Sequence, residues 1–114
     1  MRYIFPPATP AQVPIAGSDA VFPVHRVYCV GRNYADHAAE MGADTREPPF
    51  FFSKPADALI AGGDVPYPPA TGNLQHEVEL VVALAAGGVN IHSEEALRCV
   101  FGYTVGIDLT RRDL

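Results

Sequence analysis

Cysteine is scarce in this chain. Cys29 and Cys99 are the only two among 114 residues, and their spacing fits neither a thiolate metal site nor a dithiol redox motif. Cys29 falls in an apolar segment expected to be a strand and Cys99 in one expected to be a helix. Both are expected to be buried thiols, in keeping with a reducing cytoplasm. Positive charge is also short: 8 Lys and Arg stand against 13 Asp and Glu, for a formal net charge of −5 and a pI near 5.2. That balance argues against nucleic acid and anionic membrane as partners. No apolar run approaches the roughly 18 residues of a membrane-spanning helix. The opening residues, Met1 to Pro7, contain no apolar stretch of signal-peptide length. Internal repeats and low-complexity tracts are missing too.

What the chain has in quantity is punctuation. Eleven prolines and ten glycines cluster at Phe5 to Pro14, Glu47 to Pro49 and Gly62 to Gly72, with hydrophobic segments between them. They are expected to separate short strands within one domain. Arg2 to Phe5 reads as an edge strand and Arg26 to Val30 as a buried strand, rich in β-branched and aromatic residues. A turn at Gly31 to Asn33 leads to a short helix from Tyr34 to Met41, with Asn33 as N-cap and Gly42 as stop. Phe50 to Ser53 is extended. Asn73 to Ala85 forms a long strand, Ser93 caps a helix to Val100, Gly102 stops it, and Tyr103 to Leu109 is again a strand. The pattern predicts an α+β fold that is mostly β.

The chemistry concentrates in the last two strands. Glu77 and Glu79, in His76-Glu77-Val78-Glu79-Leu80, are two apart on a strand and therefore share one face. Two like charges that close are unfavourable unless a cation or proton separates them. Asp108 ends the Gly102 to Ile107 strand and supplies a third oxygen if the two strands lie together. Three carboxylates with no nearby Cys or His ligand favour a hard divalent ion, Mg2+ or Mn2+ with Ca2+ as a further candidate, over Zn2+. The competing reading is an acidic, solvated strand face. Against it stands the continuous apolar run Leu80 to Ala85, since a strand buried on both faces is a costly place for unpaired acids.

A second constellation is His37 and Glu40, three apart on the expected short helix and so on one face. A carboxylate bonded to one imidazole nitrogen fixes the tautomer and leaves the other nitrogen as a base. The same spacing also suits an ordinary polar pair on a surface helix. His25, His76, His92, Asp57 and Asp64 read as turn or surface groups, and Lys54 before Pro55 as a loop-positioning or substrate-contacting residue.

Four stretches in order and in register resemble one known family. They are Val30-Gly31-Arg32-Asn33-Tyr34-Ala35-Asp36-His37, Phe52-Ser53-Lys54-Pro55, His76-Glu77-Val78-Glu79-Leu80, and Gly102 through Ile107-Asp108-Leu109-Thr110-Arg111-Arg112-Asp113. Together they resemble the fumarylacetoacetate hydrolase superfamily from about Val24 to Leu114. The segments Pro48 to Phe52 and Pro66 to Thr71 look most like its fumarylpyruvate hydrolases.

The resemblance implies a β-roll of mixed sheets with short helices. Residues 1–24 would form a Pro-rich N-terminal segment and residues 25–114 the N-terminal part of the catalytic domain. It implies Glu77, Glu79 and Asp108 as ligands of Mg2+ or Mn2+, His37 and Glu40 as a water-activating dyad, and Arg112 as a contact to substrate oxygen. Arg111 falls where the family often has a smaller residue. The implied activity is metal-dependent hydrolysis of a carbon–carbon bond in a 2,4-dioxo acid, 3-fumarylpyruvate giving fumarate and pyruvate, with a homodimer expected of the full-length protein. Within the family the alternatives are an acylpyruvase, a 2-oxo acid decarboxylase, or a 2-hydroxydienoate isomerase or hydratase. Family members continue well past the position of Leu114, so a non-catalytic fragment or pairing subunit is the alternative of another class.

Overall fold

The computed structural model describes residues 1–31, 48–111 and 113. They divide into two compact units, Met1–Val65 and Pro66–Leu114. Among the described residues the regular structure is mostly strand, paired antiparallel in two-stranded sheets, with a few short helical turns. This is the mostly-β composition expected from the sequence. No helix among them is long and apolar enough to cross a membrane.

Among its described residues the first unit holds two antiparallel strand pairs. β1 (Ala11–Pro14) pairs with β2 (Val21–Val24), and β3 (Val27–Gly31) with β4 (Phe50–Lys54). The β1–β2 connection turns at Gly17, whose φ of +74 lies where only glycine is comfortable. Gly31, expected in a turn, is the last residue of β3 and sits opposite Phe50. The Phe50 ring lies directly over it, and a Cβ there would fall 2.2 Å from Phe50 Cζ. A 3₁₀ turn, Ala56–Ala58, follows Pro55.

Three expectations for this unit are corrected. Arg2 to Phe5 is not a strand. It runs into Pro6 and Pro7, which lack ladder donors and restrict the residue before them. The strand around RVYCV is not buried on both faces: its residues alternate between half-buried and exposed, and Tyr28 is 63% exposed. Cys29, and Cys99 in the second unit, are half-buried rather than enclosed.

The second unit is one long hairpin with a helical connection. β5 (Leu74–Leu84) pairs with β6 (Val100–Arg111), while α1 (Ser93–Ala96) and a 3₁₀ turn (Leu97–Cys99) lie between them. The base of the connection is closed by Ala85 N–H donating to the Cys99 carbonyl at 2.8 Å. His92, not Ser93, occupies the N-cap position of α1: its backbone is extended (φ −66, ψ 148), it makes no side-chain capping bond, and Ser93 is already helical. Ser93 Oγ is directed instead toward Glu94, at 3.5 Å. Gly102 does not stop the helix, which ends at Cys99. Gly102 lies inside β6 opposite Ala83.

The apolar run of β5 is also not buried on both sides. Val78, Leu80, Val82 and Leu84 are exposed, as are their cross-strand neighbours Ile107, Val105 and Tyr103. The run is continuous because Val81 and Ala83 fall on the acidic face, beyond the carboxylates.

Candidate metal centre

The register of the β5–β6 hairpin builds the site. Glu77 lies directly across from Asp108, and Glu79 across from Gly106. Directly opposed residues share a face, as do residues two apart on one strand. Glu77, Glu79 and Asp108 therefore project from the same side, with Gln75 and Thr110 flanking them toward one end and Val81 and Thr104 toward the other. The opposite face carries the apolar set and His76, which points away from the acids.

One irregularity fixes this arrangement. Leu84 pairs with Val100 but Ala83 pairs with Gly102, so β6 carries one extra residue, Phe101, at a bulge. Continuing the Leu84–Val100 pairing regularly would set Ile107 opposite Glu77. The inserted residue brings Asp108 there instead. A one-residue slip exchanges the two faces of a strand, so the bulge decides whether the third carboxylate joins the pair.

One carboxylate oxygen from each of Glu77, Glu79 and Asp108 lies within 4.8 Å of the other two, and all three residues are half-buried. At that spacing each pair of negative charges costs about 1 kcal/mol in water and about 3–4 kcal/mol at the effective dielectric of a protein surface. A cation removes that cost. Metal–oxygen bonds of about 2.1–2.4 Å span about 4.2–4.8 Å between opposite ligands, so an oxygen-binding divalent ion fits among these side chains. Gly106, opposite Glu79, makes room for Val81: a Cβ there would meet Val81 Cγ2 at 2.7 Å.

A feature not anticipated from sequence lies at the end of the hairpin. Asp113 accepts hydrogen bonds from the Thr71 hydroxyl and from the Gly72 backbone N–H, the latter at 2.8 Å. These bonds, the Thr71 hydroxyl first, hold the Asp113 carboxyl below its ordinary value. The turn-forming Pro66 to Gly72 stretch was the one available sequence signal, and it names no partner.

His37, Glu40 and Arg112 lie outside the described residues. Lys54 ends β4 opposite Val27 and Asp57 lies in the 3₁₀ turn, both in the first unit.

Residues 26–114 match the family described as Fumarylacetoacetate (FAA) hydrolase C-terminal. Among solved structures, the chain is similar to fumarylpyruvate hydrolase from Pseudomonas aeruginosa in complex with Mn2+ and pyruvate. The identity is 54% and the TM-score 0.93, covering 99% of this chain and 51% of that one. Among curated relatives it is 41% identical over 96 residues to oxaloacetate tautomerase YisK of Bacillus subtilis, covering 81% of this chain and 32% of the relative. It is 39% identical over 90 residues to the mitochondrial oxaloacetate decarboxylase of Dictyostelium discoideum, covering 77% and 41%. The chain thus spans less than half the length of these curated relatives and about half of the solved one.

Proposed function

This chain belongs to the fumarylacetoacetate hydrolase family, and from that membership we propose that it carries the metal-binding part of an enzyme that hydrolyses a carbon–carbon bond in a 2,4-dioxo acid. The observation behind the proposal is the three-carboxylate cluster on one face of the β5–β6 hairpin. In this reading Glu77, Glu79 and Asp108 hold Mg2+ or Mn2+. The cation would supply positive charge to the oxygens of a 2-oxo acid and to the enolate that cleavage leaves behind. The substrate proposed is 3-fumarylpyruvate. The likeness to the P. aeruginosa fumarylpyruvate hydrolase supports it, at 54% identity over nearly the whole chain.

The remaining roles rest on the sequence. In this reading Glu40 would orient the His37 imidazole, leaving its other nitrogen to take a proton from water. The water oxygen bonds to the distal carbonyl carbon of the substrate, and Arg112 donates N–H to the oxyanion that forms. The bond from that carbon to the adjacent methylene then breaks, its electron pair leaving with the pyruvate half as an enolate. The proton held by His37 would pass to the enolate carbon to complete pyruvate, and the other product is fumarate.

A second reading has specific support. The relatives named for oxaloacetate tautomerase and oxaloacetate decarboxylase activity suggest a 2-oxo diacid as substrate. Both readings use the same carboxylates.

The test begins with Mn2+ binding, followed by the paramagnetic signal of the free ion, for the chain and for Glu77→Gln. We expect stoichiometric binding that weakens by about 100-fold or more in the variant, beyond the roughly 10- to 100-fold typical for outer-sphere partners of a metal. Undiminished binding by Glu77→Gln would remove the site. Loss of 3-fumarylpyruvate and enol–keto interconversion of oxaloacetate, each followed by enol absorbance with and without Mn2+, then separate the two substrate readings.

A further inference from the structure

The hairpin that bears the carboxylates ends close to them. Leu74–Arg111 is its last pair, and Glu77–Asp108 lies three pairs inside. Terminal pairs of a two-stranded ribbon open readily, and opening of three pairs would carry Glu77 away from Asp108. Just beyond the last pair, Asp113 bonds Thr71 and Gly72, residues 42 and 41 positions away in sequence.

The bonds continue inward. Thr71 Oγ1, while donating to Asp113, accepts from Asn73 N–H at 3.2 Å. Asn73 Oδ1 accepts from Gln75 Nε2 at 3.2 Å. Gln75 lies on the acidic face, two residues before Glu77. The turn so held contains Ala70 at φ +63, a left-handed conformation that a residue with a Cβ keeps only when its surroundings impose it.

We propose that Asp113 is a positioning residue for the cation site. Its carboxylate clasps the turn into β5 and, through Thr71, Asn73 and Gln75, holds the end of the hairpin closed so that Glu77 stays opposite Asp108. A hydroxyl that donates to a carboxylate is polarised as an acceptor, so the two bonds at Thr71 strengthen each other. The proposal rests on the reading of Glu77, Glu79 and Asp108 as cation ligands.

The test compares Mn2+ affinity of the whole 114-residue chain with that of Asp113→Asn, Thr71→Val, Thr71→Ser and Glu77→Gln, each checked for unchanged strand content by circular dichroism. Outer-sphere groups that orient ligands are worth about 10- to 100-fold in affinity, and this clasp acts through intermediaries. Asp113→Asn and Thr71→Val are therefore expected to weaken Mn2+ by about fivefold or more, and Thr71→Ser, which keeps the hydroxyl, to stay within about twofold of the original. Amide exchange at Gln75 and Glu77 should quicken in the two weakened variants and not in Thr71→Ser.

Affinity within about twofold for both Asp113→Asn and Thr71→Val, with binding still dependent on Glu77, overturns the proposal and leaves the site intact. Binding that survives Glu77→Gln overturns the site, and the proposal with it. If Asp113→Asn fails to fold, the Thr71→Val and Thr71→Ser pair decides: equal affinities overturn the proposal, and loss in Val alone upholds it.

Discussion

Asp113 shows how much a single carboxylate can depend on its hydrogen bonds. Its pKa is lowered from 3.8, first by the Thr71 hydroxyl, then by the Gly72 N–H, with Arg111 contributing charge. The folded value lies below the unfolded one. The clasp therefore contributes its full stability above about pH 3.8 and loses it as pH falls through the lower, folded value. The melting temperature of the chain should exceed that of Asp113→Asn by a constant margin from neutral pH down to that point, and the margin should close with further acidification. A margin independent of pH down to pH 2 would show that the bonds do not require the ionised carboxylate. The carboxylates of Glu77, Glu79 and Asp108, with oxygens within 4.8 Å of one another, repel in the absence of a cation. Stability should rise with added Mn2+ by mass action.

At the scale of the element, the β5–β6 hairpin is shaped as much by its small residues as by its acids. Gly106 lies opposite Glu79, and a Cβ there would press on Val81 Cγ2. Valine is β-branched and has few rotamers to escape into. Gly106→Ala should destabilise the chain by roughly 1–3 kcal/mol, the range for overpacking. Adding Val81→Ala should recover most of it, with a coupling energy visible in a double-mutant cycle by thermal denaturation. If the two changes prove additive, Val81 is not what Gly106 accommodates. The bulge at Phe101 matters for a different reason: it sets which face Asp108 occupies, whereas Gly106 makes room for Val81.

At the scale of the whole molecule, the described sheets are all two-stranded, and a two-stranded ribbon is marginal by itself in water. The β5–β6 hairpin also presents Val78, Leu80, Val82, Tyr103, Val105 and Ile107 on one side, with Val105 70% exposed. Apolar patches that continuous seldom stay uncovered in a soluble monomer. The purified chain should associate and show a light-scattering mass above 12.2 kDa. Leu80→Lys with Val105→Glu, which places an opposite-charge pair across the strands, should reduce that mass. A 12.2 kDa species for the unaltered chain would mean that the face is tolerated in water.

The sequence by itself pointed to the ligand set and to most of the elements. Glu-x-Glu in an extended segment can only place both acids on one side, and an oxygen-only ligand set selects a hard cation whatever the fold. β-branched and aromatic runs marked β3, β4, β5 and β6, and the four matching stretches pointed to the family. Helix and strand boundaries around Ser93 and Gly102 were misread because they depend on cap dihedrals and cross-strand partners, which local propensity does not encode. What only the tertiary structure decided is the meeting of Asp108 with the Glu pair. Glu77 and Asp108, distant in sequence, become neighbours through register, and register here turns on one inserted residue at a bulge. The Asp113 clasp was hidden for the same reason, since nothing local to Asp113 or to Thr71 says which residue 42 positions away will accept its hydrogen bond.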